Sequence, residues 1–221
     1  MAARTEVGPV RGHNEDDLLV DEEHRLFLVA DGIGGHPAGD VASRTAVRAA
    51  HAALVASSDH EPAEPEGALA DALHAAHDAV LEGVEADPAT RGMGTTAVVA
   101  RLSQDDQRLW VAHVGDSRAY LFRAGRLRRL TTDHRIGGGR LIQALGTWGD
   151  VSPDTTQVEL DAGDRILLCT DGLTDMVDDD DIAGRLASDE PPQRSCDRLV
   201  EDAIAHGGID NITVILIEVD R

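Results

Sequence analysis

The sequence predicts an α+β fold in which antiparallel sheets are covered by helices. Three observations carry this prediction. Apolar runs of strand length recur along the chain, as in "LFLVA" (26–30), "LWVAHV" (109–114) and "RILLCT" (165–170). Most are joined by connections too short for a parallel crossover. Two pairs of helical patterns interrupt the strands, one after the first two and one before the last.

Taken in order, "DLLVD" (17–21) and "LFLVA" (26–30) predict two strands joined by the polar turn "EEHR". Val41, Ala42, Ala46, Val47, Ala50 and Leu54 recur at helical spacing and predict a helix from Ala38 to about Ser57. A polar, Pro-containing connector (57–67) leads to a second amphipathic helix at 68–86. Beyond Gly92, segments 95–103, 108–115, 118–124 and 126–130 predict strands whose short turns make them antiparallel neighbours. "QVELD" (157–161) and "RILLCT" (165–170) predict one further hairpin around "AGD". Helical patterns at 179–187 and 192–206 precede a closing strand at 211–219. The "DDDD" at 178–181 suits a solvated helix start, where carboxylates meet the positive end of the helix dipole.

Composition narrows the function. With 221 residues, no internal repeat and no boundary in composition, one domain over 1–221 is expected. Hydrophobic residues make up 42% but aromatics only 2%, so the core must be built from Ala, Val, Leu and Ile. A net charge of −21 argues against nucleic acid as partner. No Lys occurs, which excludes the P-loop and protein-kinase signatures, both of which place a lysine on phosphate. Cys169 and Cys196 sit inside apolar and helical patterns and read as core residues, not as the nucleophile of a cysteine phosphatase. The glycines of "DGIGGHPAG" do not make a dinucleotide loop, since Pro37 stands where the third glycine belongs. No apolar stretch suits a membrane span or a signal peptide, so a soluble cytoplasmic chain without membrane contact is expected.

The chemistry lies in the carboxylates. Asp31, Asp116 and Asp171 each follow a strand beside a glycine or at a turn, and Asp210 immediately precedes one. In an antiparallel sheet the end of one strand and the start of its neighbour share a rim, so pairing is able to gather all four. Any single Asp-Gly is ordinary turn chemistry. As a set, clustered carboxylates repel one another and call for cations, and an all-oxygen ligand set selects Mg²⁺ or Mn²⁺ over zinc.

Six stretches then carry a resemblance: "VGPVRGHNED" (7–16), "VADGIGGHPAGDVAS" (29–43), "MGTTAVVA" (93–100), "VGDSRAYLFRAGRLRRLTTDH" (114–134), "ILLCTDGLTDMV" (166–177) and "DNITVILI" (210–217). In this order, nearly end to end, they resemble the PPM family of metal-dependent (type 2C) protein serine/threonine phosphatases in its bacterial form. The resemblance implies two packed antiparallel sheets flanked by helices on both sides, an α-β-β-α sandwich. It implies two Mn²⁺ or Mg²⁺ ions bridged by Asp31, with the Gly32 carbonyl on one of them. Asp171 and Asp210 complete the other shell, and Glu15 and Asp16 bind directly or through water. Asp116, with Asp171, matches a weaker third metal site. Arg11 matches the phosphate-binding arginine, whose planar fork suits two phosphoryl oxygens.

The implied reaction is hydrolysis of phosphoserine and phosphothreonine by direct attack of a metal-bridging hydroxide, with Asp31 and Arg11 as the central catalytic groups. The implied partners are phosphorylated proteins, opposite a Ser/Thr protein kinase, with the enzyme a monomer. Two departures stand out. Ile33 replaces the histidine that many eukaryotic members carry, so the acid for the leaving group is unassigned. Metal-bound water is the default, with His36 weighed as a candidate against a structural hydrogen bond. After "LTTDH", "RIGGGRL" (135–141) leads at once to "IQALG" (142–146), so the flap that borders the family's active site is nearly deleted. Competing readings are a partner-switching phosphatase acting on an anti-sigma-factor antagonist and a non-catalytic phosphoprotein-binding module. Structural calcium ranks last, since no EF-hand loop occurs.

Overall fold

The computed structural model describes residues 1–33, 38–56, 65–137, 140–147 and 149–219. The His36 candidate, most of the 57–67 connector and two glycines of the shortened flap lie outside the described residues.

Twelve strands and five helices are present among the described residues. The strands are β1 (Ala2–Glu6), β2 (Asp16–Asp21), β3 (Leu26–Asp31), β4 (Ala97–Leu102), β5 (Arg108–Val114), β6 (Arg118–Arg123), β7 (Arg126–Arg129), β8 (Arg135–Ile136), β9 (Arg140–Leu141), β10 (Asp154–Glu159), β11 (Arg165–Cys169) and β12 (Ile212–Glu218). The helices are α1 (Gly39–Ala56), α2 (Pro65–Ala86), the single turn α3 (Asp171–Thr174), α4 (Asp179–Leu186) and α5 (Pro192–Ala205). One antiparallel sheet runs β1-β12-β11-β6-β7 and the other β10-β5-β4-β3-β2. Strands β8 and β9 form a separate two-stranded stub.

Alternation along the strands builds the layers. In β3, Phe27 and Val29 face the other sheet, where Ile166, Leu168, Ile215 and Ile217 meet them. Leu26, Leu28 and Ala30 face the opposite way, onto Ala42, Ala46 and Ala50 of α1 and Leu69 and Leu73 of α2. Val214 and Leu216 of β12 likewise pack under Leu199 and Val200 of α5. Central strands are thus buried on both faces, which is why they read as continuous apolar runs. The expected α-β-β-α sandwich is the observed one, with a core of small aliphatic side chains. Cys169 and Cys196 are buried free thiols inside it. Asp178 caps α4 by accepting from the Asp181 amide at 2.9 Å, so the acidic run is a helix start. No helix among the described residues is long and apolar enough to cross a membrane.

Two strand pairings differ from the sequence expectation. The segments around "AGD" are not a hairpin: β10 hydrogen-bonds to β5 in one sheet, whereas β11 lies between β6 and β12 in the other. Asp164 secures that crossing, accepting from Arg123 Nε at 2.8 Å and from the Asp161 amide at 2.8 Å. Similarly β5 and β6, though three residues apart, belong to opposite sheets. Gly115 makes the bend with φ +105°, and a Cβ there would lie 2.5 Å from Thr96 Cβ. Asp116 therefore sits on the bend by which the chain passes from one sheet to the other. Strand β1 pairs with β12, and it was absent from the sequence reading because "AARTE" is too polar to show an apolar run.

Candidate active site

One end of the sandwich collects the acidic residues. Asp31 ends β3 and Asp16 begins β2, so the two are direct cross-strand partners in one sheet. Asp171 follows β11 and Asp210 precedes β12, which neighbour each other in the facing sheet. The charge of Asp171 acts on Asp31 across the gap between the sheets. Gly32 donates its amide to the Glu15 carbonyl at 3.0 Å, which sets the start of the "DG" loop beside Glu15.

Three polar side chains that the sequence reading passed over hold this arrangement. Thr213 and Thr170 both donate their hydroxyls to Asp16 Oδ2, at 2.6 and 2.9 Å. They belong to the sheet facing Asp16, so one carboxylate oxygen bolts the two sheets together. Asn211 donates from Nδ2 to the carbonyls of Val7 and His13, at 2.9 and 3.0 Å, and accepts from the Glu15 amide at 2.8 Å. The loop that carries Arg11 and Glu15 is thereby pinned beside Asp210. The only sequence signal for these residues was their neighbourhood to "TD" and "DN"; their partners are nearly the whole chain away.

Burial dominates the electrostatics. It pushes the Asp16 carboxyl up to about 7, against the pull of the two threonine hydroxyls. Burial likewise raises Asp171 to about 7, reinforced by the charges of Asp116 and Asp175. Asp31 lies well above the usual carboxylate range, through burial and then the charges of Asp16 and Asp171. Among the described residues no basic side chain forms an ion pair with any of these three. Buried like charges without a counter-ion are costly, and an all-oxygen donor set is what Mg²⁺ or Mn²⁺ selects. The residues present therefore fit divalent cations at Asp16, Asp31 and Asp171.

A pH dependence follows. An unfolded aspartate releases its proton near 4, but folded Asp16 and Asp171 hold theirs up to about 7. Between those values the folded state binds more protons, so metal-free stability falls as pH rises through that window. Mn²⁺ should raise the unfolding temperature more at about pH 8 than at about pH 5.5, because protons compete with it at the lower pH. Thermal melts with Mn²⁺ and with chelator check this; an equal rise at both values would detach these carboxylates from the metal.

The other expected residues carry arginine partners. Arg11 Nη2 donates to Asp210 Oδ2 at 2.6 Å, its Nη1 lies 3.9 Å from Glu15 Oε2, and its side chain remains 33% exposed. It stands at the rim of the carboxylate cluster with part of its fork open to solvent. Asp116 is buried but is not free: Arg135 Nη1 lies 3.3 Å from its Oδ2. The shortened flap is reduced to the β8–β9 stub, whose first residue is that arginine. Two histidine–carboxylate groups, Asp21 with His24 and His51, and His113 with His134 and Asp154, lie outside this cluster.

The chain is similar to known proteins along nearly its whole length. The family model described as "Stage II sporulation protein E (SpoIIE)" matches residues 21–220. The serine/threonine protein phosphatase PstP of Mycobacterium tuberculosis is 39% identical over 237 residues, covering 99% of this chain but 44% of PstP. This chain thus spans less than half the length of that relative. The serine/threonine phosphatase Stp of Listeria monocytogenes is 37% identical over 240 residues, covering 98% of this chain and 94% of Stp. A crystal structure of the PstP catalytic domain in complex with two manganese ions has a TM-score of 0.87 at 37% identity, covering 100% of this chain and 97% of that one. With a cation-demanding carboxylate cluster at the rim of a two-sheet sandwich, and likeness along its whole length, the chain belongs to the PPM family of serine/threonine phosphatases.

Proposed function

We propose that this chain is a metal-dependent phosphoprotein phosphatase that hydrolyses phosphoserine and phosphothreonine. The observation that carries the reading is the set of three half-buried carboxylates, Asp16, Asp31 and Asp171, gathered from both sheets with no basic ion-pair partner among the described residues, beside the partly exposed Arg11. When bound, two divalent ions supply the Lewis acid that offsets this charge and acidifies an attacking water. Asp31, Asp171, Asp16, Asp210 and Glu15, with the Gly32 carbonyl, are the residues that would hold them. Asp16 stays fixed because two hydroxyls donate to one of its oxygens. Arg11 orients the phosphoryl group through its planar donors. The absence of a reactive cysteine matches direct hydrolysis, since burial pushes the Cys169 thiol up to about 12.

In this reading residues 1–221 form one catalytic domain, acting as a monomer in the cytoplasm against the products of a Ser/Thr protein kinase. The test is hydrolysis of p-nitrophenyl phosphate and a phosphothreonine peptide with Mn²⁺, with Mg²⁺ and with chelator. Turnover should need the metal. A folded chain that binds Mn²⁺ and hydrolyses neither compound would make it a binding module instead.

The stub also bears on selectivity. Ile136 within it and Ile142 just after it are exposed, with no longer flap to cover them. Replacing Arg135–Gly139 by a full-length flap should narrow the range of phosphopeptides cleaved, measured as the spread of kcat/KM over a peptide panel. An unchanged spread would count against this.

A further inference from the structure

Asp116 was the expected ligand of a weaker third ion, yet the residues around it do not fit a cation. The Arg135 guanidinium bridges two carboxylates there. Its Nη1 lies 3.3 Å from Asp116 Oδ2, and its Nη2 donates to Asp175 Oδ1 at 3.0 Å. Asp171 feels the charges of both these aspartates, so the guanidinium stands at the edge of the main carboxylate cluster. A divalent ion there requires carboxylate oxygens free to approach within about 2.0–2.6 Å. Asp116 instead faces a donor, and a second cation would be repelled by the first.

This placement is built in. His134, immediately before Arg135, is held to Gly115 in both directions: its amide donates to the Gly115 carbonyl at 2.9 Å, and the Gly115 amide donates to its Nδ1 at 3.2 Å. The returning chain closes on the same residue, with the Ile142 amide donating to the His134 carbonyl at 2.8 Å. One step earlier, Arg118 forks onto Asp133, Nε to Oδ1 at 3.0 Å and Nη2 to Oδ2 at 2.8 Å. Residues 133 and 134 are therefore fixed beside Asp116, and the next side chain has little choice but to meet it. The Arg135 side chain is only 20% exposed. The deletion that leaves two-residue strands in place of a flap makes Arg135 both the first residue of the stub and part of the site's charge.

We propose that Arg135 is a tethered substitute for the third cation, neutralising Asp116 and Asp175 so that this chain works with two divalent ions and takes no third. The inference rests on the two-ion reading above and extends it. A fixed guanidinium supplies positive charge at that edge at any metal concentration, so turnover should saturate once two ions are bound. It also presents hydrogen-bond donors where a hydrated ion would present water, which gives the site a second cationic group besides Arg11.

The test is the Mn²⁺ stoichiometry of the full chain, by titration calorimetry and by electron paramagnetic resonance of free Mn²⁺. Wild type should bind two ions. Arg135→Ala and Arg135→Gln, each checked for an unchanged circular dichroism spectrum, should gain a third, bound at least about tenfold more tightly than any third ion in wild type. Arg135→Lys, which keeps the charge, should stay at two. Adding Asp116→Asn to Arg135→Ala should remove the third ion again. The proposal is overturned by three ions in wild type with affinities matching Arg135→Ala, or by two ions in both neutral variants. Fewer than two ions in wild type, with no metal-dependent turnover, overturns the two-ion reading and this proposal with it.

Discussion

Replacing Asp31 or Asp171 by Asn is expected to abolish turnover and yet yield a protein that, in chelator, unfolds at a higher temperature than wild type. Both carboxylates are held above their ordinary range by burial, Asp31 also by the charges of Asp16 and Asp171, and Asp171 by those of Asp116 and Asp175. Their ionised forms destabilise the metal-free fold at neutral pH, and a neutral amide of the same shape relieves that repulsion. The same change removes a ligand from cations worth several kcal/mol of transition-state charge stabilisation, a loss on the order of 10³-fold in kcat. The two readouts move in opposite directions, which separates a functional carboxylate from a structural one. A structural role would lower both activity and the melting temperature in chelator. Saturating Mn²⁺ should stabilise wild type more than either variant.

Gly172→Ala is expected to cost the fold outright. A Cβ on Gly172 would stand 1.9 Å from the Asn211 carbonyl oxygen, far inside contact distance and against backbone that cannot rotate away. Relief requires α3 and the start of β12 to separate. Asn211 would then lose register with Val7, His13 and Glu15, and Asp171 would move relative to Asp210. Such overpacking against backbone should remove about 3 kcal/mol or more, lowering the melting temperature by on the order of 10 °C. Gly184→Ala in α4 is the control, since nothing lies within 4 Å of its added Cβ. That exposed helix position should gain roughly 0.5–1 kcal/mol. Equal melting temperatures for the two variants would show that the α3–β12 contact yields at no cost.

How far each feature was legible depends on the distance over which its physics acts. The strand-end aspartates were readable because an apolar run broken by Asp and Gly is a local pattern, as at "LFLVADG" and "RILLCTDG". The roles of Thr170, Thr213 and Asn211 were not, because each acts on a partner in the other sheet or on the N-terminal loop. A threonine in an apolar strand looks the same whether or not it holds a carboxylate. The crossings at Gly115 and Asp164 were misread for a related reason. A short connection signals a change of strand direction, but it does not say whether the chain turns back within a sheet or passes to the facing one. That choice is made by which free edge offers unpaired backbone: β10 completes β5, and β11 fills the place between β6 and β12.

The sequence by itself determined the fold class, the aliphatic core and the strand-end positions of the aspartates proposed to hold metal. These follow from composition and from periods of two and 3.6 residues, which act within a few residues of chain. Only the tertiary structure decided which carboxylates stand bare and which are already paired. Among the described residues Asp16, Asp31 and Asp171 form no ion pair with a basic side chain, whereas Arg11 reaches Asp210 and Arg135 reaches Asp116. Charge pairing depends on separations of a few ångströms between side chains that lie 19 and 199 positions apart in the chain, 135 − 116 = 19 for one pair and 210 − 11 = 199 for the other. No local pattern encodes such a separation; packing two sheets face to face does.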